Sequence, residues 1–246
     1  FSARSIIWGG PIIKENDPLI LEDLMNAYNK KIKNKVLYTQ IRNLGDMEWA
    51  NETFISGKYS FEEHLDFHID LTQSFDEVSS KFHRKKRQNY RTGVKKGNSF
   101  RALKSKEEFS EAFNLIYNTY SRIKLPCPDS SLFMSAMEFL GKKDMALAFG
   151  AYNDNKLIGV RIELAYNNML YDWYAGADSS QMNKYPNDYL IYEMLNWANQ
   201  NDYHIFDFGG AGKPNIPYAV RDYKQKFGGD LKNFGRYQKI HSPLYY

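Results

Sequence analysis

The sequence predicts an α/β protein with mixed sheets, built from two similar units in tandem. Stretches with the two-residue period of strands alternate with stretches of helical period, helix starts are marked by capping residues, and one layout occurs twice. Near the N-terminus a strand, Ser5 to Trp8, leads to Gly9 and Gly10. Asp17 as cap and Pro18 at the first helical position then open a helix, and a strand follows from Val36 to Arg42. The same order returns as a strand at 169–175, Gly176, a helix at 187–200 and a strand at 204–208. Residues 98–168 precede the second copy, whereas only residues 1–4 precede the first and no methionine opens the chain. The first unit is therefore expected to be truncated at its N-terminus. The expected division places it in residues 1–97 and the second unit in residues 98–246.

The elements follow in order. Residues 64–71 alternate strictly between polar and apolar, the pattern of a half-buried strand. His64, Asp66, His68 and Asp70 share its polar face, a set that could hold a metal, but a solvated face accounts for the alternation and no metal is expected. Ser74 and Glu77 form an S-x-x-E capping box that opens a helix expected over 75–96. Phe75, Val78, Phe82 and Tyr90 make its apolar face, with Arg84, Arg87, Arg91 and Lys95 opposite and Lys86 out of pattern among the apolar positions. Ser105 and Glu108 cap another helix. The apolar runs 145–152 and 157–166 flank Asn153, Asp154 and Asn155 as a hairpin. Tyr189 to Ala198 is apolar nearly all round and predicts a buried helix, and the strand ending at Phe208 runs into glycines.

The chain has 246 residues with 43% hydrophobic content, enough for a substantial core. No apolar run reaches the roughly 18 to 20 residues that cross a bilayer, and the start, FSARSIIWGG, lacks the layout of a signal peptide. A cytoplasmic location is expected. The single cysteine, Cys127, lies between two prolines and reads as structural. The net charge of +4 is local in origin: residues 81–96 hold eight Lys and Arg and no acid, and without them the balance reverses to 25 against 29. This distribution favours a site for an anion over a surface that coats nucleic acid.

The segment FDFGGAGKPNIPYAVRDYKQKFGGDLKNFGRY holds the most chemistry. Gly209, Gly210 and Gly212 let the backbone turn sharply or approach a ligand, with Lys213, Arg221, Lys224 and Lys226 close by. It is not a Walker loop, because Pro214 follows Gly212-Lys213 and Asp207 stands where the leading glycine would fall. YDWYAGAD (171–178), FDFGGAG (206–212), the Tyr223-Lys224-x-x-Phe227-Gly228 step and the basic KFHRKKRQNYRTGVKKG segment together resemble the FemABX family. The resemblance covers most of the chain and implies two GNAT-like units side by side, in agreement with the repeat. The pyrophosphate loop of ordinary GNAT enzymes, Arg/Gln-x-x-Gly-x-Gly/Ala, is missing between the strand at 169–175 and its helix.

The resemblance implies an acyltransferase in which a substrate amine attacks an activated carbonyl directly, with no cofactor. Such chemistry asks for a deprotonated amine, a positive group near the oxyanion and anchors for phosphates. Lys224 matches the family's functional lysine and takes the electrostatic role. Asp172 and Asp207 lie on apolar strands, where a carboxylate needs a partner or a role, and are candidates for the amine's base. Arg84, Arg87, Arg91 and Arg221 are candidates to hold phosphates. Trp173, Tyr174 and Tyr185, with Gly209 and Gly210, are candidates to line the acceptor groove. The expected partners are an aminoacyl-tRNA donor and a phosphate-bearing cell-wall precursor whose amine is the acceptor, with peripheral contact at a membrane surface. One alternative is an N-acyltransferase using acyl-CoA or acyl-carrier protein on an amino sugar or surface polysaccharide; another is a non-catalytic RNA-binding module built on the basic helix.

Overall fold

The computed structural model describes residues 3–241. In chain order the elements are β1 (Ser5–Trp8), α1 (Pro18–Ile32), β2 (Tyr38–Arg42), α2 (Asn51–Ser56), β3 (Ser60–Glu62) and β4 (Leu65–Asp70). Helices α3 (Phe75–Ser80) and α4 (Arg84–Lys95), strand β5 (Ser99–Ala102), and helices α5 (Lys106–Arg122) and α6 (Ser130–Phe139) follow. The rest are β6 (Ala146–Asn153), β7 (Lys156–Tyr166), β8 (Met169–Ala177), α7 (Pro186–Gln200), β9 (Ile205–Gly212), α8 (Ala219–Gln225), β10 (Asp230–Asn233) and β11 (Arg236–Ile240). Two compact units emerge. The smaller comprises the chain up to Asp66, Gly210–Tyr218 and the chain from Leu231; the larger comprises Phe67–Gly209 and Ala219–Asp230.

In the smaller unit the strands order as β1-β2-β11-β3, with β1 parallel to β2 and β11 antiparallel to both of its neighbours. Asp17 caps α1 as expected, its carboxylate accepting from the Leu19 amide at 2.8 Å. Leu21 and Met25 of α1 are buried with Ile41, Phe54, Tyr59 and Tyr237, and the Phe54 and Tyr237 rings stack at 4.2 Å.

In the larger unit β4, β9, β8, β7, β6 and β5 neighbour one another in that order. Strands β5 to β8 pair antiparallel, whereas β8 and β9 pair parallel. Both copies of the repeated layout are thus strand–helix–strand units with parallel strands, β1-α1-β2 and β8-α7-β9, and the expected α/β class with mixed sheets is what the chain forms. The β6–β7 hairpin turns on Asp154 and Asn155, both with left-handed backbone (φ 50° and 60°), a conformation these two residue types tolerate. Helix α5, opened by the Ser105–Glu108 capping box, lies directly on β8. A Cβ at Gly176 would come within 2.6 Å of the backbone of Leu115 and Ile116. Gly176→Ala should therefore push α5 off the sheet at a cost of roughly 1–3 kcal/mol, visible as a lower urea midpoint. An unchanged midpoint would contradict that packing.

Three expectations need correction. The helix expected over 75–96 is two helices, because Phe82 turns into the core and His83 leaves the helical path to donate its amide to the Lys226 carbonyl at 2.8 Å. His83 then caps α4 through Nδ1, and the Arg87 guanidinium closes the end of α3 by donating to the carbonyls of Ser80 (2.5 Å) and Phe82 (2.7 Å). Strand β4 is not half-buried: Asp66 is buried and the His68 side chain is 12% exposed, since the strand is interior to its sheet. The backbone also does not turn at the glycines after Phe208; it stays in β9 through Gly212, with left-handed φ at Gly209 and Gly212.

Candidate active site

The pairing of β8 with β9 covers only Met169–Tyr171 against Ile205–Asp207, although β8 continues to Ala177 and β9 to Gly212. Beyond Tyr171 and Asp207 the two parallel strands part, and polar groups fill the opening. Lys224, buried on α8, donates from Nζ to the carbonyl oxygens of Phe208 and of Gly209 (2.9 Å) and lies 5.4 Å from the centre of the Phe208 ring. Asp207 accepts the Gly209 amide at 2.8 Å on Oδ1, while its Oδ2 is 3.6 Å from His68 Nε2. Left-handed Gly209 is the point of convergence: a Cβ there would stand 3.6 Å from the Asp172 carbonyl oxygen, 3.7 Å from Lys224 Nζ and 3.7 Å from the Tyr171 hydroxyl.

A β-bulge aims the next group. The register of β7 on β8 shifts between Ile162, opposite Tyr174, and Glu163, opposite Asp172, so Trp173 is the extra residue. Without the bulge Trp173 would face Glu163; with it, Asp172 joins Arg161 and Glu163 on one face. Arg161 is 4% exposed and holds both carboxylates, Asp172 through Nη2 and Glu163 through Nε at 3.3 Å. One guanidinium cannot neutralise two buried carboxylates, and burial together with the Asp172 charge raises the Glu163 carboxyl well above the usual carboxylate range. Glu163 thus carries a proton in the folded chain that the unfolded chain releases above about pH 4.5. The folded state binds the extra proton, so this group's contribution to stability is complete below that pH and is lost as pH rises toward the folded value. Glu163→Gln removes this term, and its stability relative to the native chain should grow with pH above about 4.5 in urea titrations. A difference that stays flat with pH would contradict the protonated state.

The third layer lies behind Lys224. Asp188, in the first turn of α7, accepts from Lys86 Nζ (2.7 Å), Asn89 Nδ2 (2.6 Å) and the Tyr223 hydroxyl (2.8 Å). Lys86 also sits 3.7 Å over the Tyr223 ring, which explains its place among the apolar positions of α4. Burial moves the Lys86 ammonium below its ordinary range and pushes the Tyr223 hydroxyl well above its own.

Of the residues singled out in the sequence, Lys224, Asp172, Asp207 and Gly209 come together here. Arg84, Arg87 and Arg91 line a recess of ≈ 420 Å³ with Gln88, on the face of α4 opposite Lys86. Arg221 lies on α8, half-buried. Trp173 and Tyr174 pack against Phe133 at 5.5 and 4.8 Å, within the core under α5 and α6. Tyr185 caps α7 in a left-handed conformation (φ 53°), and Gly210 belongs to the smaller unit beside His64. Sequence reading passed over Arg161, Glu163 and Asp188, and gave Tyr223 no role beyond its place in the motif. The signal was available for the first two, since LIGVRIELAY places two charges inside an otherwise buried run.

A family model described as acetyltransferase (GNAT) domain matches residues 80–225, more than half the chain and the span that contains β8, α7, β9 and Lys224. Among solved structures, FemX superposes with a TM-score of 0.77 at 15% identity, over 98% of this chain and 81% of that one. The C-terminal domain of a putative lysylphosphatidylglycerol synthetase from Agrobacterium fabrum gives 0.70 at 14% identity, over 100% and 80%. L-PGS from Bacillus licheniformis gives 0.65 at 14%, over 98% and 78%. No curated protein matches the sequence. The solved structures agree with the fold, and the parallel strands that part around a buried lysine lie inside the matched span: the chain belongs to the GNAT family of acyltransferases, in a fold like that of FemX.

Proposed function

We propose that this acyltransferase moves an aminoacyl group from aminoacyl-tRNA to an amine of a phosphate-bearing cell-wall precursor. The observation that carries the reading is the Lys224 ammonium, fixed on the Phe208 and Gly209 carbonyls where β8 and β9 part. The acceptor amine attacks the ester carbonyl, the oxyanion develops near this fixed charge, and collapse expels the ribose oxygen of the donor. Asp172 suits the amine's proton better than Asp207, because its side chain is 12% exposed against 1%. The donor assignment is supported by the β8–α7 connection, ADSSQMNKYP, which holds no glycine to cradle a pyrophosphate. It is supported also by the FemX-like fold and by neighbours named for an aminoacylated product.

The test supplies the purified chain with a nucleotide-linked precursor bearing a free amine and with either radiolabelled aminoacyl-tRNA or acyl-CoA. Label should pass from the tRNA to the amine. Transfer from acyl-CoA alone would overturn the donor assignment and favour the N-acyltransferase reading, toward which the family description leans.

A further inference from the structure

Helix α4 reads RKKRQNYRTGVK and holds no acid. Its inner face is occupied: Lys86 and Asn89 both bond Asp188, and Tyr90 donates to Glu193 at 2.8 Å. On the opposite face Arg84, Arg87, Gln88 and Arg91 line the recess of ≈ 420 Å³. Among the described residues no carboxylate pairs with any of these three arginines. Like charges three and four residues apart repel, and a cation in the first turn opposes the helix dipole, so the row costs the helix stability while no anion is present. Half-buried Arg87 is held at the recess by its Nη1 bonds to the Ser80 and Phe82 carbonyls, and Arg84 and Arg91 flank it, exposed. From Arg84 to Arg91 the helix rises about 10 Å, the axial length of about three phosphates of one nucleic-acid strand. A helix that lies on a membrane surface sets Trp, Phe or Leu against its cations, and α4 contains none of these.

We propose that the arginine face of α4 holds a short run of RNA phosphate backbone, with guanidinium forks on successive phosphates. As the place where the donor is held it rests on the aminoacyl-tRNA reading; as an RNA site it stands on the geometry of α4. The face is turned away from Lys86 and Tyr223, so it grips the body of the RNA and not the reacting ester. The recess takes one stretch of backbone and does not coat the surface.

Fluorescence anisotropy of unacylated tRNA with the full chain, over a series of salt concentrations, tests it without any activity readout. Binding is expected, and Arg84→Gln combined with Arg91→Gln should weaken it about tenfold or more at low salt and reduce the log–log salt slope by about 2. Both side chains are exposed, and circular dichroism checks that the double variant keeps its fold. Arg122→Gln combined with Lys124→Gln removes the same charge from exposed positions of the larger unit and should leave affinity and slope nearly unchanged. No binding at low salt, or an equal loss in the two double variants, would overturn the site. So would arginine-dependent binding to vesicles containing phosphatidylglycerol with none to tRNA, which would make the face a membrane contact. Label transfer from aminoacyl-tRNA without arginine-dependent binding removes this site and leaves the proposed function. Arginine-dependent binding with transfer from acyl-CoA alone supports the site and removes the donor assignment.

Discussion

Replacing Lys224 by methionine is expected to lower the rate of acyl transfer by about 10²- to 10³-fold, the loss seen when one preorganised group at an oxyanion is removed. Methionine keeps the length and apolar stem of the side chain but deletes the charge that the Phe208 and Gly209 carbonyls hold in place. Those two carbonyls lose their donor, so stability should also fall, by about 1–3 kcal/mol. The two effects separate experimentally. Urea denaturation gives the unfolded fraction at the assay temperature, which remains small for a loss of that size in an ordinary domain. The remaining deficit belongs to the reaction and should appear in kcat. A folded Lys224→Met protein that transfers at the native rate would remove Lys224 from the proposed mechanism and reduce it to a structural tie between α8 and β9.

The largest stability effect is expected at Asp188. Its side chain is 7% exposed and that of Lys86 is 8% exposed, so Asp188→Ala strands an ammonium in the interior together with the Tyr223 hydroxyl and the Asn89 amide. Removing one partner of a buried ion pair costs about 3–5 kcal/mol, a large share of the roughly 5–15 kcal/mol that keeps an ordinary domain folded. The double replacement Lys86→Met with Asp188→Leu removes both charges and should recover most of that loss, because a packed apolar pair is often as stable as a buried ionic one. Denaturation midpoints of the native chain, the single and the double variant decide it. If the single replacement costs less than about 1 kcal/mol, the pair is hydrated and the interior description fails. Tyr223 precedes Lys224 on α8, so the double variant should also show reduced transfer even where stability returns.

Much of the architecture was legible in the chain because it rests on local chemistry. The Asp17 cap, the Ser74–Glu77 and Ser105–Glu108 boxes and the Asp154–Asn155 turn each satisfy backbone groups within a few residues, and the repeated strand–helix–strand order follows from periodicity. Lys224 and Gly209 stood out through a short motif, and both lie where the strands part. The arginine row was legible as a stripe, but its role was not: the helical period shows which residues share a face, and not that Arg87 would turn back to close α3.

What the amino-acid order determined by itself is the class of fold and the capped starts of α1, α3 and α5, and it singled out the lysine proposed to act in catalysis. The tertiary structure alone decided the rest. The bulge at Trp173 sets Asp172 beside Arg161 and Glu163, Asp188 gathers donors from α4 and α8, and strand pairing sets Arg42 against Arg236. These groups lie far apart in the chain, and their charges acquire meaning only when pairing register and burial bring them together in a medium that cannot solvate them.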